Sequence, residues 1–147
     1  MNLQGAAVQQ EIARQFQALH IPGTPLVLFN AWDAGSARAV ADAGAKAIAT
    51  GSWSVAAANG FADGENLPFA FAMENLRRIV GAVALPLMID RESGYGETPA
   101  AVGTTVAAAL EAGAIGCNLE DSFPADGSLR AIADHVARRT AARKVAD

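Results

Sequence analysis

Disulfide chemistry is excluded at the outset: the chain holds one cysteine, Cys117, so no intrachain bridge forms and a cytoplasmic setting is expected. Histidine is nearly as scarce, at two residues, which disfavours a zinc site built on His and Cys. No apolar run reaches membrane-spanning length before Gly, Pro or a charge breaks it, so no membrane contact is expected. The opening Met1-Asn-Leu-Gln-Gly-Ala6 lacks the basic-then-apolar pattern of an export leader. Positive charge is short as well: 11 Lys and Arg face 15 Asp and Glu, a net −4 with no concentrated basic patch. Nucleic acid is therefore not an expected partner. Charged residues make up 18% of the 147-residue chain and hydrophobic ones 52%, the profile of one globular domain with a sizeable core.

What is present is an alternation of helical and strand-like segments. Val8, Ile12, Phe16 and Leu19 recur at helical spacing over about 6–19, and His20, Pro22 and Gly23 end that helix. Residues 25–29 read as an apolar strand leading into Asn30-Ala-Trp-Asp33, where Asp33 or Ser36 caps a helix over 34–43 that Gly44 terminates. Residues 45–50 read as a second strand. A long connection over 51–67 follows, of the kind often functional in compact domains. Pro68 opens a helix to about 82 with Phe69, Met73, Leu76, Ile79 and Val80 as its stripe. A third strand over 85–90 precedes the cap pair Thr98-Pro99 and a helix burying Val102, Thr105, Val106, Ala109 and Leu110. A fourth strand spans 114–121, and a last helix carries Leu129, Ile132 and Val136 on its expected inward face. The echo between Ala41-Asp-Ala-Gly-Ala-Lys-Ala47 and Leu110-Glu-Ala-Gly-Ala-Ile-Gly116 indicates a repeated βα module. Strands alternating with helices imply a parallel sheet, either doubly wound or a (β/α)₈ barrel. A complete barrel takes about 250 residues, so this chain has the length of half of one.

In both architectures the functional rim lies at the strands' C-terminal ends. There the sequence places Asn30 and Asp33, then Thr50, Gly51 and Ser52, then Asp90 and Glu92, then Asn118, Glu120 and Asp121. Asp90 and Glu92, two apart, share a face unless the chain turns between them. Asp63, in the long connection, can reach the same rim. Clustered carboxylates without comparable His or Cys suit a hard cation; Mg²⁺ fits best and Mn²⁺ fits the same donors. Asp33 and Asp121 are expected to serve structure, Tyr95 to pack, and Trp32 and Trp53 to anchor loops. Cys117 is expected to act as a small apolar group, and His20 and His135 to face solvent.

Four motifs carry a resemblance: Asn30-Ala-Trp-Asp-Ala-Gly-Ser-Ala37, Gly60-Phe-Ala-Asp-Gly64, Leu85-Pro-Leu-Met-Ile-Asp-Arg-Glu-Ser-Gly-Tyr-Gly96 and Gly116-Cys-Asn-Leu-Glu-Asp-Ser122. Over about residues 8–145 the chain resembles the isocitrate lyase/phosphoenolpyruvate mutase superfamily, on its mutase-like branch. The resemblance implies an α/β fold, the N-terminal half (about four βα units) of a (β/α)₈ barrel, with residues 1–147 as one partial domain ending before the fifth strand. It implies a Mg²⁺-dependent lyase, hydrolase or mutase that makes or breaks C–C or P–C bonds beside a 2-oxo acid, through an enolate. Asp90, Glu92 and Glu120 match its metal-side acids, Asp63 and Glu120 its catalytic acids, and Thr50, Gly51, Ser52 and Asp90 its substrate-binding positions. The family commonly has Ser where this chain has Gly51. The lyases' Lys-Lys-Cys-Gly-His loop is absent from 122–128, which argues against an isocitrate lyase. Two readings follow: an enzyme on a small 2-oxo acid or phosphonopyruvate-like substrate, or an inactive barrel fragment serving as a structural subunit. Unpaired outer strands make a homo-oligomer expected in either.

Overall fold

The computed structural model describes residues 3–147. Four parallel strands lie in chain order, β1 (Phe29–Ala31), β2 (Ile48–Thr50), β3 (Leu87–Asp90) and β4 (Gly116–Asn118). Six helices accompany them: α1 (Leu3–Ala18), α2 (Ala34–Asp42), α3 (Ser52–Ala58), α4 (Phe69–Ala82), α5 (Pro99–Glu111) and α6 (Ile132–Ala146). The architecture is the expected arc of four βα units from a (β/α)₈ barrel.

The strands are shorter than their apolar runs, because a ladder extends only where both neighbours are extended. Gly44 and Ala45 still close α2 through bonds to Ala41 O and Val40 O, so β2 starts at Ile48 and β1 pairs only from Phe29. Residues 25–28 consequently lie outside the sheet. β4 stops at Asn118, short of the expected 121. The next rung is made above the sheet, where the Glu120 N–H donates to Glu92 O at 2.7 Å.

Alternation within the strands builds the core. Ala31, Ile48, Leu87 and Ile89 pack with Met73, Leu76 and Ile79 of α4 and Ala37 of α2. The intervening Met88 and Asp90 are half-buried on the other face. The connection 51–67 is not bare: it contains α3, whose Val55 and Ala56 bury against Leu67. A run of Ala favours the helix, and Gly60 (φ 80°) closes the turn beyond it. Thr98 and Pro99 start α5 as cap and first residue.

The last helix is rotated from its expected orientation. Leu129 precedes α6, bridging to Ser122, and is 73% exposed; Ile132 and Val136 on α6 are 84% and 55% exposed, whereas Arg138 and Ala142 are buried. Two contacts set that rotation. A Cβ on Gly103 of α5 would stand 3.3 Å from Ala141 O, a close approach that small residues permit. Arg138 in turn donates to Gly96 O at 2.8 Å and Glu97 O at 2.6 Å, capping carbonyls of the β3–α5 loop. Polar satisfaction thus outweighs the apolar stripe. α1 likewise docks through a polar group, Gln9 Nε2, which donates to Leu110 O and Ala114 O at 2.7 Å each. Among the described residues no helix is long and apolar enough to cross a membrane.

Candidate active site

Parallel strands bring their C-terminal ends to one rim, and there Asp90 is held from two sides. Its Oδ2 accepts the Ser52 N–H at 2.9 Å and its Oδ1 the Glu92 N–H at 3.1 Å. The Asp90 N–H donates to Thr50 Oγ1 at 3.0 Å. One residue thereby joins the end of β2, the start of α3 and the loop after β3. Each carboxylate oxygen has two lone pairs, so Asp90 keeps accepting capacity beyond these bonds.

The chain turns between Asp90 and Glu92, so the two acids do not project from one strand face. Glu92 has φ 49° and is only 6% exposed. Its Oε1 accepts the Tyr95 hydroxyl at 2.9 Å and its Oε2 the Glu65 N–H at 2.6 Å. Burial raises the Glu92 pKa; the bonds from Tyr95 and Glu65 oppose this, and the charges of Asp63 and Glu65 add to it. Burial, followed by the Glu92 charge, pushes the Tyr95 phenol far up, which keeps it a donor. Gly94 (φ 110°) lets the loop close: a Cβ there would lie 2.9 Å from both Val102 methyls.

The other expected residues join in different ways. Glu120 is exposed, fixed by its N–H on Glu92 O and by the Ser122 hydroxyl on its Oε2 at 3.1 Å. Asp63 is exposed and near enough to Glu92 to repel it. Thr50 is buried with its hydroxyl on the Asp90 N–H, and Gly51 is the N-cap of α3. A Cβ on Gly51 would stand 2.8 Å from Asn30 Nδ2, so the Asn30 amide crowds the space that a serine side chain would need. Asp33 closes a reciprocal capping box with Ser36, which holds its carboxyl below the usual range. Tyr95 packs at 5.8 Å from the Phe69 ring while also serving Glu92. Cys117 is half-buried, its thiol pushed up by burial. His20 faces solvent, whereas His135 is half-buried. Trp32 and Trp53 are exposed, at 44% and 70%, and so do not anchor their loops by burial.

Two participants escaped the sequence reading. Glu65 accepts the Ser93 hydroxyl and the Tyr95 N–H on one oxygen, both at 2.8 Å. Arg91 is fully buried, with its guanidinium carbon 5.1 Å from the Phe69 ring and 5.2 Å from the Tyr95 ring. Its Nε and Nη1 have no protein partner, and it borders a cavity of about 20 Å³ shared with Asp90 and Glu92. That volume is enough for one water. The detectable signal for Arg91 was its odd position between Asp90 and Glu92, facing the packed side of β3. Glu65 offered only its place in the glycine-flanked acid loop.

Among the described residues no three His, Cys, Asp or Glu side chains form a ready-made metal cluster. The donor chemistry still fits Mg²⁺, which takes one or two protein carboxylates and completes its shell with water. Asp90 has lone pairs to offer, and the charges of Asp63 and Glu65 both act on the buried Glu92.

Comparison with known proteins gives this arrangement its relatives. The family described as phosphoenolpyruvate phosphomutase matches residues 16–147. A crystal structure of a presumed phosphonomutase from Burkholderia cenocepacia J2315 superposes with a TM-score of 0.92 at 62% identity, covering 93% of this chain and 56% of that one. A phosphonopyruvate hydrolase, solved with oxalate and Mg²⁺, superposes with a TM-score of 0.84 at 24% identity over 91% of this chain and 48% of its own. An uncharacterized protein of Mycobacterium tuberculosis is 37% identical over 113 residues, 73% of this chain and 40% of that protein. The chain thus spans about half the length of the relatives it matches. With four parallel βα units, the acid-bearing β3 loop and a family match over residues 16–147, the chain belongs to the phosphoenolpyruvate phosphomutase family, within the isocitrate lyase/phosphoenolpyruvate mutase superfamily.

Proposed function

We propose that this chain provides the metal-side rim of a Mg²⁺-dependent enzyme acting on a 2-oxo acid or phosphonopyruvate-like substrate, as a lyase, hydrolase or mutase. The observation that carries the reading is Asp90: its carboxylate is pinned at the rim by two backbone N–H groups from two different elements. A pinned carboxylate is preorganised and loses little freedom on meeting a cation. When bound, Mg²⁺ supplies positive charge that stabilises oxyanion character on a 2-oxo acid. Asp90 would hold it directly, with Glu92 and Glu120 acting through water. Asp63 and Glu120, both exposed at the rim, are the acids available to substrate; Thr50, Gly51 and Ser52 shape the floor beneath it. Mn²⁺ is an equivalent probe of this donor set. The Mg²⁺ held by the phosphonopyruvate hydrolase supports the cation chosen.

The test is turnover of oxaloacetate, methylisocitrate-like acids and phosphonopyruvate with and without Mg²⁺, with Asp90→Ala as control. Turnover that survives Asp90→Ala overturns the assignment. A second reading, an inactive barrel fragment in a larger assembly, is favoured by the outer strand β1, which pairs on one side only and leaves Phe29 exposed. In both readings residues 1–147 form one partial barrel domain of a cytoplasmic homo-oligomer.

A further inference from the structure

Among the described residues, three non-glycine positions have left-handed backbone: Glu65 (φ 61°), Glu92 (φ 49°) and Tyr95 (φ 52°). They come from two loops separated by α4, and every pair of them is hydrogen-bonded. The Glu65 N–H donates to Glu92 Oε2, the Tyr95 N–H to Glu65 Oε1, and the Tyr95 hydroxyl to Glu92 Oε1. Left-handed backbone persists at such residues only where the surroundings over-determine it, and it gathers at functional sites. Here the surroundings are the triangle itself.

We infer that Glu65 is the positioning residue of this rim. One carboxylate oxygen takes two donors, the Ser93 hydroxyl and the Tyr95 N–H, so it holds the turn that aims Glu92. Its backbone N–H occupies one oxygen of Glu92, and the tyrosine it fixes occupies the other. The same contact ties the loop bearing Asp63, two residues upstream, to the loop bearing Asp90 and Glu92. Glu65 touches no reacting atom in this scheme; it acts through Glu92 and Tyr95. Neighbours that orient metal-side groups commonly matter for affinity about 10–100-fold. The inference rests on reading Asp90 and Glu92 as the cation side of the rim.

The test compares Glu65→Gln, Glu65→Ala and Glu65→Gly with the parent chain by Mn²⁺ binding, followed by electron paramagnetic resonance, and by hydrogen exchange of the Tyr95 amide. A glutamine carbonyl accepts both donors, so Glu65→Gln keeps Mn²⁺ affinity within about threefold of the parent, well inside the effect of losing an orienting group. Glu65→Ala and Glu65→Gly each weaken it roughly 10–100-fold and speed Tyr95 exchange. Glycine adopts φ 61° without strain, so Glu65→Gly melts higher than Glu65→Ala while gaining nothing in affinity. Restored affinity in Glu65→Gly would show a merely structural role and overturn the inference, as would parental affinity in Glu65→Ala. Absence of Mn²⁺ binding in the parent chain sinks the cation reading, and with it any role for Glu65 toward a cation. The Tyr95 amide then reports separately on the latch, which unchanged exchange in Glu65→Ala refutes.

Discussion

A single buried guanidinium shows how this rim is constructed. Arg91 is fully enclosed, yet the bond its guanidinium makes, from Nη2 to Gly94 O, is 3.4 Å long, and burial lowers its pKa while the nearby acids oppose that. Its packing against Phe69 and Tyr95 matters more than its charge pairing. Arg91→Met should therefore leave chemical-denaturation stability within about 1 kcal/mol of the parent, whereas Arg91→Ala, which opens a cavity, should cost about 3 kcal/mol. A large loss in Arg91→Met would show that the charge itself is needed. At Asp33 the charge does matter: it caps α2, and Asp33→Ala should cost about 1 kcal/mol at neutral pH. Because the folded pKa of Asp33 lies below the ordinary 3.8, its contribution is present above that value and fades as pH falls through the depressed one. Urea titrations of both proteins across that range should converge in acid. The place of Asp90 at the end of β3 was legible from the sequence, whereas the turn that redirects Glu92 and the early end of β4 before Glu120 were not. Arg91 and Glu65 were not, since their roles arise from ring stacking and a bond across 27 residues, neither of which leaves a periodic trace.

At the scale of elements, glycine and arginine decide how the loop after β3 meets the helices. Gly94→Ala places a methyl group against Val102 on left-handed backbone, and thermal unfolding should show a loss of more than about 1 kcal/mol. Adding Val102→Ala should not restore the parent, because the backbone cost remains. Arg138 bridges α6 to Gly96 O and Glu97 O and pairs with Asp134 at 3.0 Å. Arg138→Met should cost about 2–4 kcal/mol by stranding partners it satisfies, with faster amide exchange across α6. Exchange confined to global unfolding in that variant would refute the bridge. α2 and α5 were readable in advance, since Asp33, Gly44 and Thr98-Pro99 are local signals, whereas α3 lay hidden in the connection 51–67. The rotation of α6 was not readable either. Its expected apolar stripe of Leu129, Ile132 and Val136 promised burial, but the small surface at Gly103 and Ala141 and the partners of Arg138 lie in other elements.

For the whole molecule, two outer strands and several exposed apolar side chains set the surface behaviour. Val27 before β1 and Phe29 at its start are 63% and 56% exposed, and a groove of about 500 Å³ lies between β4, α5 and α6. Unpaired parallel edges of this kind favour association. Sedimentation velocity should show a coefficient that rises with protein concentration, and Phe29→Lys should flatten that rise; a concentration-independent monomer would exclude association. A parallel sheet was foreseeable because βα repeats need crossovers, and the barrel followed only from the family resemblance, while strand lengths depended on pairing partners that no single segment reveals. Strand order equal to chain order has a further, kinetic consequence. Each strand finds its neighbour already made in the preceding stretch of polypeptide, so loop closures stay short and no early segment waits for a distant one. Folding can then advance from β1 to β4 as the chain emerges from the ribosome, each unit using the last as its template.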